Sequence, residues 1–428
     1  MTQNRFVNRE ISWLDFNARV LQEAQDENVP LIERLRFIGI FSNNLDEFYK
    51  VRYATVKRIA RLEEAKNKVF GDRPAEVLLK EITSKTIALQ RQSLETLNTL
   101  HVALEQENIF ILKEDQINEE QQRFINIYFS QEVGPSLVTL MLNNIQSISK
   151  IKDSNAFLAI RMVLDAKKHP FLDPIQFALI EIPSSLKRFV VLPSVDGKTQ
   201  LMLLDDLIRT QLSTIFDVFQ HNSIEAHMVK FSRDAELDFD DDLSKSYIEK
   251  VAESVKVRSH GEAVRFVDDK DISDDTLLLL IDRLDIDNRD SVISGGRYHN
   301  RRDYIKFPDL GRSDLKYQTR DPLPIIDFDL HKSLFSQIAL KDRLMFTPYH
   351  SFSYLVKFLR EAAIDPNVKS ISITIYRLSK LSNVASALIQ AVRNGKRVTV
   401  QIELQARFDE EANIGYAEEM KKEGIKLI

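Results

Sequence analysis

Apolar residues recur with helical spacing through most of the first hundred positions. Ser12 opens Ser12-Trp13-Leu14-Asp15, which reads as a capping-box-like helix start, and Trp13, Phe16 and Val20 form one stripe at i, i+3 and i+7. Pro30 suits the first turn of a second helix whose stripe is Leu31, Leu35 and Ile38. Asn44, with Glu47 three residues on, reads as the N-cap of a third helix carrying Phe48, Val51 and Val56. Gly71-Asp72-Arg73-Pro74 stops and restarts the chain, and over 75–107 Leu78, Ile82, Leu89, Leu97, Leu100 and Leu104 keep the helical period. The pattern predicts an all-helical first domain over residues 1–107.

From 108 to 321 the pattern is mixed, and it predicts an α+β domain. Short β-rich runs at 156–164, 177–182 and 189–192 are bounded by Pro, Asp, Asn or Ser, with helices expected over 203–219 and 242–255. Residues 322–428 change character again. A helix over 352–363 precedes a strand at 368–376, a helix at 383–393, a turn at Gly395-Lys396, a strand at 397–404, a helix at 410–423 and a strand start at 425–428. Strands alternating with helices predict a parallel sheet. The sequence stops inside that sheet, so we expect a truncated domain, because an unfinished parallel sheet leaves apolar faces and an open edge.

The 428 residues, 43% of them hydrophobic, suffice for several ordinary cores. No run of eighteen apolar residues occurs, and Met1-Thr2-Gln3-Asn4-Arg5 lacks a secretory pattern, so a cytoplasmic address with at most peripheral membrane association is expected. Cysteine is absent, which removes disulfides, thiolate nucleophiles and Cys-ligated zinc. With a formal net charge of −5, a polyanionic ligand has to be held by a local basic cluster.

Neither Gly-x-x-x-x-Gly-Lys-Ser/Thr nor Gly-x-Gly-x-x-Gly occurs, and His-Glu-x-x-His is absent. Arg377 and Arg407 each follow an expected strand, at the carboxyl ends where open α/β sheets bind ligands, and a guanidinium fork suits phosphate. The alternative is that each is a solvated strand-end charge or pairs with Asp409 or Glu410. Asn44, as a cap, could place helix amides beside a phosphate or a base edge. Gly295-Gly296-Arg297-Tyr298-His299-Asn300-Arg301-Arg302 fits a polyanion contact and a connecting loop equally well. The acidic run from Asp234 to Asp242 lacks the calcium-loop pattern and reads as a solvated turn. His350 reads as a cap-region or packing residue, and none of the eight histidines begins a His-x-Lys-x-x-x-x-Asp motif.

Several of these stretches together resemble the type 1 polyphosphate kinases. The resemblance rests on Glu10-Ile11-Ser12-Trp13-Leu14-Asp15-Phe16-Asn17, Phe41-Ser42-Asn43-Asn44-Leu45-Asp46-Glu47-Phe48, Gly295 to Asn300, Tyr376-Arg377 and Leu404 to Asn413, collinear over the chain. It implies a helical N-terminal domain, an α+β head domain and the start of a phospholipase-D-like α/β catalytic domain. It implies reversible transfer of the terminal phosphate of ATP to inorganic polyphosphate through a phosphohistidine that would lie beyond Ile428, so this chain by itself is expected to be inactive. Asn44 would contact ATP. Arg377 and Arg407 match two arginines of the family's magnesium site and are expected to act through phosphate oxygens. A homo-oligomer with ATP, ADP and polyphosphate as partners, and no nucleic acid, goes with this reading. Other readings are a non-catalytic fragment that self-associates or binds polyanions, and a phospholipase-D-type hydrolase.

Overall fold

The computed structural model describes residues 7–61, 69–70, 73–148, 151, 156–234, 254, 263–286, 292–379, 381–406 and 409–428. The chain forms two compact units, the first reaching Tyr317 and the second running from Gln318 to Ile428.

Asn8, not Ser12, caps the first helix, α1 (Arg9–Gln25), by accepting from Glu10 N at 3.0 Å and Ile11 N at 3.3 Å. The earlier start turns the expected stripe: Ile11, Leu14, Asn17, Leu21 and Ala24 are buried, whereas Phe16 is 58% exposed. Trp13 is half-buried and stacks on Phe48, with ring centroids 4.9 Å apart. Pro30 precedes α2 (Leu31–Phe48), whose inner face is Ile32, Leu35, Ile38, Phe41 and Leu45.

The third helix expected at Asn44 does not start there. Asn44 lies within α2, which continues through a π-helical turn (Tyr49–Tyr53) into α3 (Ala54–Arg61). The apolar stripe passes Asn44 without a Gly or Pro to break it. The asparagine amide donates sideways to Asn17 Oδ1 at 3.1 Å instead of capping. Its neighbouring backbone amides are therefore spent inside the helix, and the expected amide seat for phosphate is absent. Strands β1 (Val69–Phe70) and β2 (Arg73–Pro74) pair antiparallel, with Gly71 and Asp72 outside the described residues. The long α4 (Ala75–Gln106) buries the predicted Leu78, Ile82, Leu89, Leu97, Leu100 and Leu104.

The mixed region builds two sheets. In the smaller, β3 (Ile109–Leu112) runs parallel to β8 (Thr199–Leu203), which pairs antiparallel with β7 (Phe189–Val191). The larger has the order β11-β10-β9-β5-β6-β4. Its members are β4 (Val138–Met141), β5 (Ala156–Leu164), β6 (Ile175–Glu181), β9 (His221–Arg233), β10 (Ala263–Asp269) and β11 (Val292–Gly295), antiparallel except for the β10/β11 pair. Helix α5 (Glu119–Tyr128) carries a capping box between Asn118 and Gln121. In place of one helix over 203–219, β8 ends at Leu203 and two short helices follow, α6 (Leu204–Thr210) and α7 (Leu212–Ile215). The helix expected over 242–255 and residues 235–242 of the acidic run lie outside the described residues, apart from Ser254.

The helices and the smaller sheet share one core, in which Leu35, Ile38 and Phe41 meet Phe189, Leu201, Tyr304 and Phe307. Gly39 permits this approach: a Cβ there would collide with Ile305 N and come within 2.7 Å of Ile305 Cγ1. Asp46, 4% exposed, faces β9 and β10, accepting from Lys230 and, at 3.0 Å, from Arg265. Burial alone would raise the Asp46 carboxyl, but Lys230 and Arg265, with Arg302 adding to them, outweigh it and hold it below its usual value. Burial also pulls the Lys230 ammonium down to about 8, against the pull of Asp46.

The second unit follows the predicted alternation. After α9 (Leu334–Leu340) and α10 (Ser353–Ile364) come β12 (Ser370–Ile375), α11 (Asn383–Arg393), β13 (Arg397–Ile402), α12 (Glu410–Lys422) and β14 (Lys426–Leu427); α8 is Asp274–Arg283 of the first unit. The three strands are parallel in the order β12-β13-β14. Leu388, Val400, Ala417 and Met420 are fully buried between sheet and helices. Among the described residues, no helix is long and apolar enough to cross a membrane.

Candidate functional site

Parallel pairing brings the carboxyl ends of β12 and β13 to one edge of the sheet. Asn413, fully buried on α12, donates its amide to Tyr376 O at 2.8 Å and Glu403 O at 2.7 Å, tying the two strand ends together. Arg377 follows directly. Its Nη1 lies 3.0 Å from Asp409 Oδ2, and its guanidinium sits 5.3 Å from the centre of the Tyr376 ring. The ion pair is 50% exposed on the arginine side and 38% on the aspartate side. Such an open pair is worth about 0–1 kcal/mol, so an incoming phosphate oxygen can replace the carboxylate at little cost. Arg407 lies outside the described residues. Beside this edge a cavity of about 1100 Å³ is lined by Ser379, Ser382, Ser386, Asp409, Glu411 and Tyr416, among others.

Magnesium does not fit directly on the residues described here. An arginine donates and cannot ligate a cation, Asp409 is engaged by Arg377, and among the described residues no group of three or more His, Cys, Asp or Glu side chains could hold a metal ion. His350 accepts from Phe346 N at 2.9 Å through Nδ1, and its backbone bridges to Leu323, a packing role.

Asn44 belongs to the first unit, where its partner is Asn17. The glycine-arginine loop there is pinned from within. Arg297 bonds Glu114 at 2.5 Å and Asp206 at 2.6 Å, and Tyr298 donates its hydroxyl to Asp206. Arg301 donates to Gln90 O at 3.0 Å. Burial pulls His299 down to about 3, so it stays neutral, bonded through Nδ1 to Gly296 O at 3.0 Å. The loop is therefore a structural tie for two of its three arginines. The third, Arg302, lines a cavity of the first unit.

Three family descriptions match the chain in order: the polyphosphate kinase N-terminal domain over residues 6–112, the middle domain over 120–307 and C-terminal domain 1 over 333–428. The chain belongs to the polyphosphate kinase family. A polyphosphate kinase of Vibrio vulnificus (strain YJ016) is 41% identical over 428 residues, covering 99% of this chain and 60% of the relative. That of Escherichia coli (strain K12) is 38% identical over 430 residues, covering 99% of this chain and 61% of the relative. The crystal structure of polyphosphate kinase from Porphyromonas gingivalis matches with a TM-score of 0.76 at 28% identity, covering all of this chain and 59% of that one. The chain thus spans about 60% of the length of the curated polyphosphate kinases it matches.

Sequence reasoning placed Arg377 at the strand end but gave no role to Asn413, although it closes the Leu404 to Asn413 stretch. Its signal was a polar amide on the apolar face of α12, beside Ile414 and Ala417.

Proposed function

We propose that the chain serves in the reversible transfer of the terminal phosphate of ATP to inorganic polyphosphate. In this role Arg377 and Arg407 grip phosphate oxygens, and Asn44 contacts ATP. The observation that carries it is the half-exposed Arg377 guanidinium, set at a parallel strand end in an open ion pair with Asp409. There it can exchange a carboxylate for a phosphate oxygen and offset charge on a transferred phosphoryl group. Magnesium, which the family reading also carries, would arrive on the phosphates. The division into segments 1–107, 108–321 and 322–428, a cytoplasmic location and homo-oligomeric assembly go with the same reading.

Equilibrium binding of ATP and tripolyphosphate to the 428-residue chain and to Arg377→Ala tests the grip. Weakening of about tenfold is expected for loss of one charge-assisted phosphate contact. Unchanged affinity for both probes would sink the assignment. Since the resemblance puts the phosphorylated histidine outside these 428 residues, they are expected by themselves to form no acid-labile phosphohistidine with labelled ATP.

A further inference from the structure

The first unit holds a cavity of about 650 Å³ whose lining includes four cationic side chains, Lys187, Arg188, Arg302 and Lys306, and one acidic one, Asp303. The single carboxylate is spent within the wall: Asp303 Oδ2 accepts from Arg188 Nε at 2.8 Å and from Asn300 Nδ2 at 3.0 Å. Arg188 reaches on to the buried Asp205 at 3.1 Å, while its own buried Nη1 has no hydrogen-bond partner. Among the described residues, Lys187, Arg302 and Lys306 make no side-chain hydrogen bond or ion pair. Lys187 and Lys306 are exposed and Arg302 is half-buried. Ser184 and Ser185 add hydroxyls at the rim, and Phe189, Ile182 and Leu186 form apolar wall.

A chain with 64 carboxylate side chains has material to neutralise these cations, yet among the described residues Asp303 is the one carboxylate in the lining, with Asp46 acting on Arg302 from outside it. Like charges brought together repel, and an anion in the cavity relieves that repulsion. The apolar wall lowers the local dielectric and strengthens each contact to that anion. Several cations spread around one cavity match an anion with charge on successive groups better than a single carboxylate. The buried donor on Arg188 is a further group awaiting an acceptor.

We propose that this cavity binds a phosphoanhydride chain, gripped by Lys187, Arg302 and Lys306 with Arg188 at its wall. The chain can come from free polyphosphate or from the triphosphate of a nucleotide. The site stands on the cavity's own chemistry and holds whether or not Arg377 grips phosphate.

The test is titration calorimetry of tripolyphosphate and of ATP into the 428-residue chain in an Arg377→Ala background, which separates this site from the grip proposed above. Lys187→Ala/Lys306→Ala is compared with Lys167→Ala/Lys168→Ala, which removes the same charge from exposed lysines elsewhere on the first unit. We expect the cavity pair to weaken binding by about tenfold or more, and the control pair to leave it unchanged. Arg302→Gln should give a loss of similar size. Tighter tripolyphosphate binding identifies free polyphosphate as the source, and tighter ATP binding a nucleotide. Absence of binding by either probe, or equal losses in the cavity and control pairs, overturns the proposal.

Discussion

Asn413 donates its side-chain amide to the backbone carbonyl of Tyr376 at 2.8 Å, so the residue before Arg377 is fixed by a helix 37 positions further along the chain. Replacing Asn413 with Leu leaves Tyr376 O and Glu403 O without their donor. Each lost hydrogen bond costs about 0.5–1.5 kcal/mol, and urea unfolding monitored in the second unit should register it. Because the strand ends would part, affinity for tripolyphosphate should fall as well, although Arg377 itself is untouched. A variant as stable as the parent would show that the two bonds do not hold this edge.

Asp46 is the shared acceptor for two buried cations, Lys230 and Arg265. Asp46→Ala strands both charges away from water, and breaking a buried pair in this way costs about 3–5 kcal/mol. Adding Lys230→Met should recover part of that loss, since one of the orphaned charges is then gone. Denaturant midpoints of the single and double variants decide the matter. No recovery in the double variant would mean that the cation-π contact of Arg265 with Tyr49, 4.7 Å from the ring centre, carries the interface instead.

Burial drags His101 from its usual 6.5 down to about 4, while its Nε2 bonds the Tyr304 hydroxyl at 2.8 Å. The folded protein keeps this imidazole neutral in a range where the unfolded chain takes up a proton. Its contribution to stability is therefore full above pH 6.5 and is lost as the pH falls towards 4, by an amount on the order of 3 kcal/mol. His101→Gln cannot titrate. Its melting temperature should drop less between pH 7 and pH 5 than that of the parent, and an equal drop would count against this account.

Gly39→Ala should be among the most disruptive small changes in the chain. The new methyl meets the backbone of Ile305, which cannot swing aside as a side chain end could. Overpacking of this kind costs about 1–3 kcal/mol or more. Thermal unfolding reads the loss; a melting point matching the parent's would mean that α2 and the segment from Arg301 to Lys306 separate without penalty.

Much of the second unit was legible because its signals are local. Each strand is a short β-rich run, Gly395 takes a φ of +76° at the turn, and helices of ordinary length fill the gaps. The first unit was harder to read for identifiable reasons. Asn8 caps α1 from outside the motif that drew attention to Ser12, and that shift of register turned Phe16 outward. Asn44 carries a cap's side chain in the middle of an unbroken apolar stripe, and the stripe won. The Arg377 position could be read from the end of one strand. Lys187 and Lys306 could not, because they come from separate segments and meet only when the fold is complete.

The common core of the first unit also constrains how the chain can be made. Arg36 Nη2 reaches Phe307 O, a partner 271 residues later in the chain. At roughly 5–20 residues per second, the ribosome needs some tens of seconds to deliver that partner after Arg36 has emerged. Throughout that interval the inner face of α2 has no Tyr304 or Phe307 to cover it. The early helices therefore leave the ribosome as an apolar surface that chaperones can recognise until the distant half of the unit arrives.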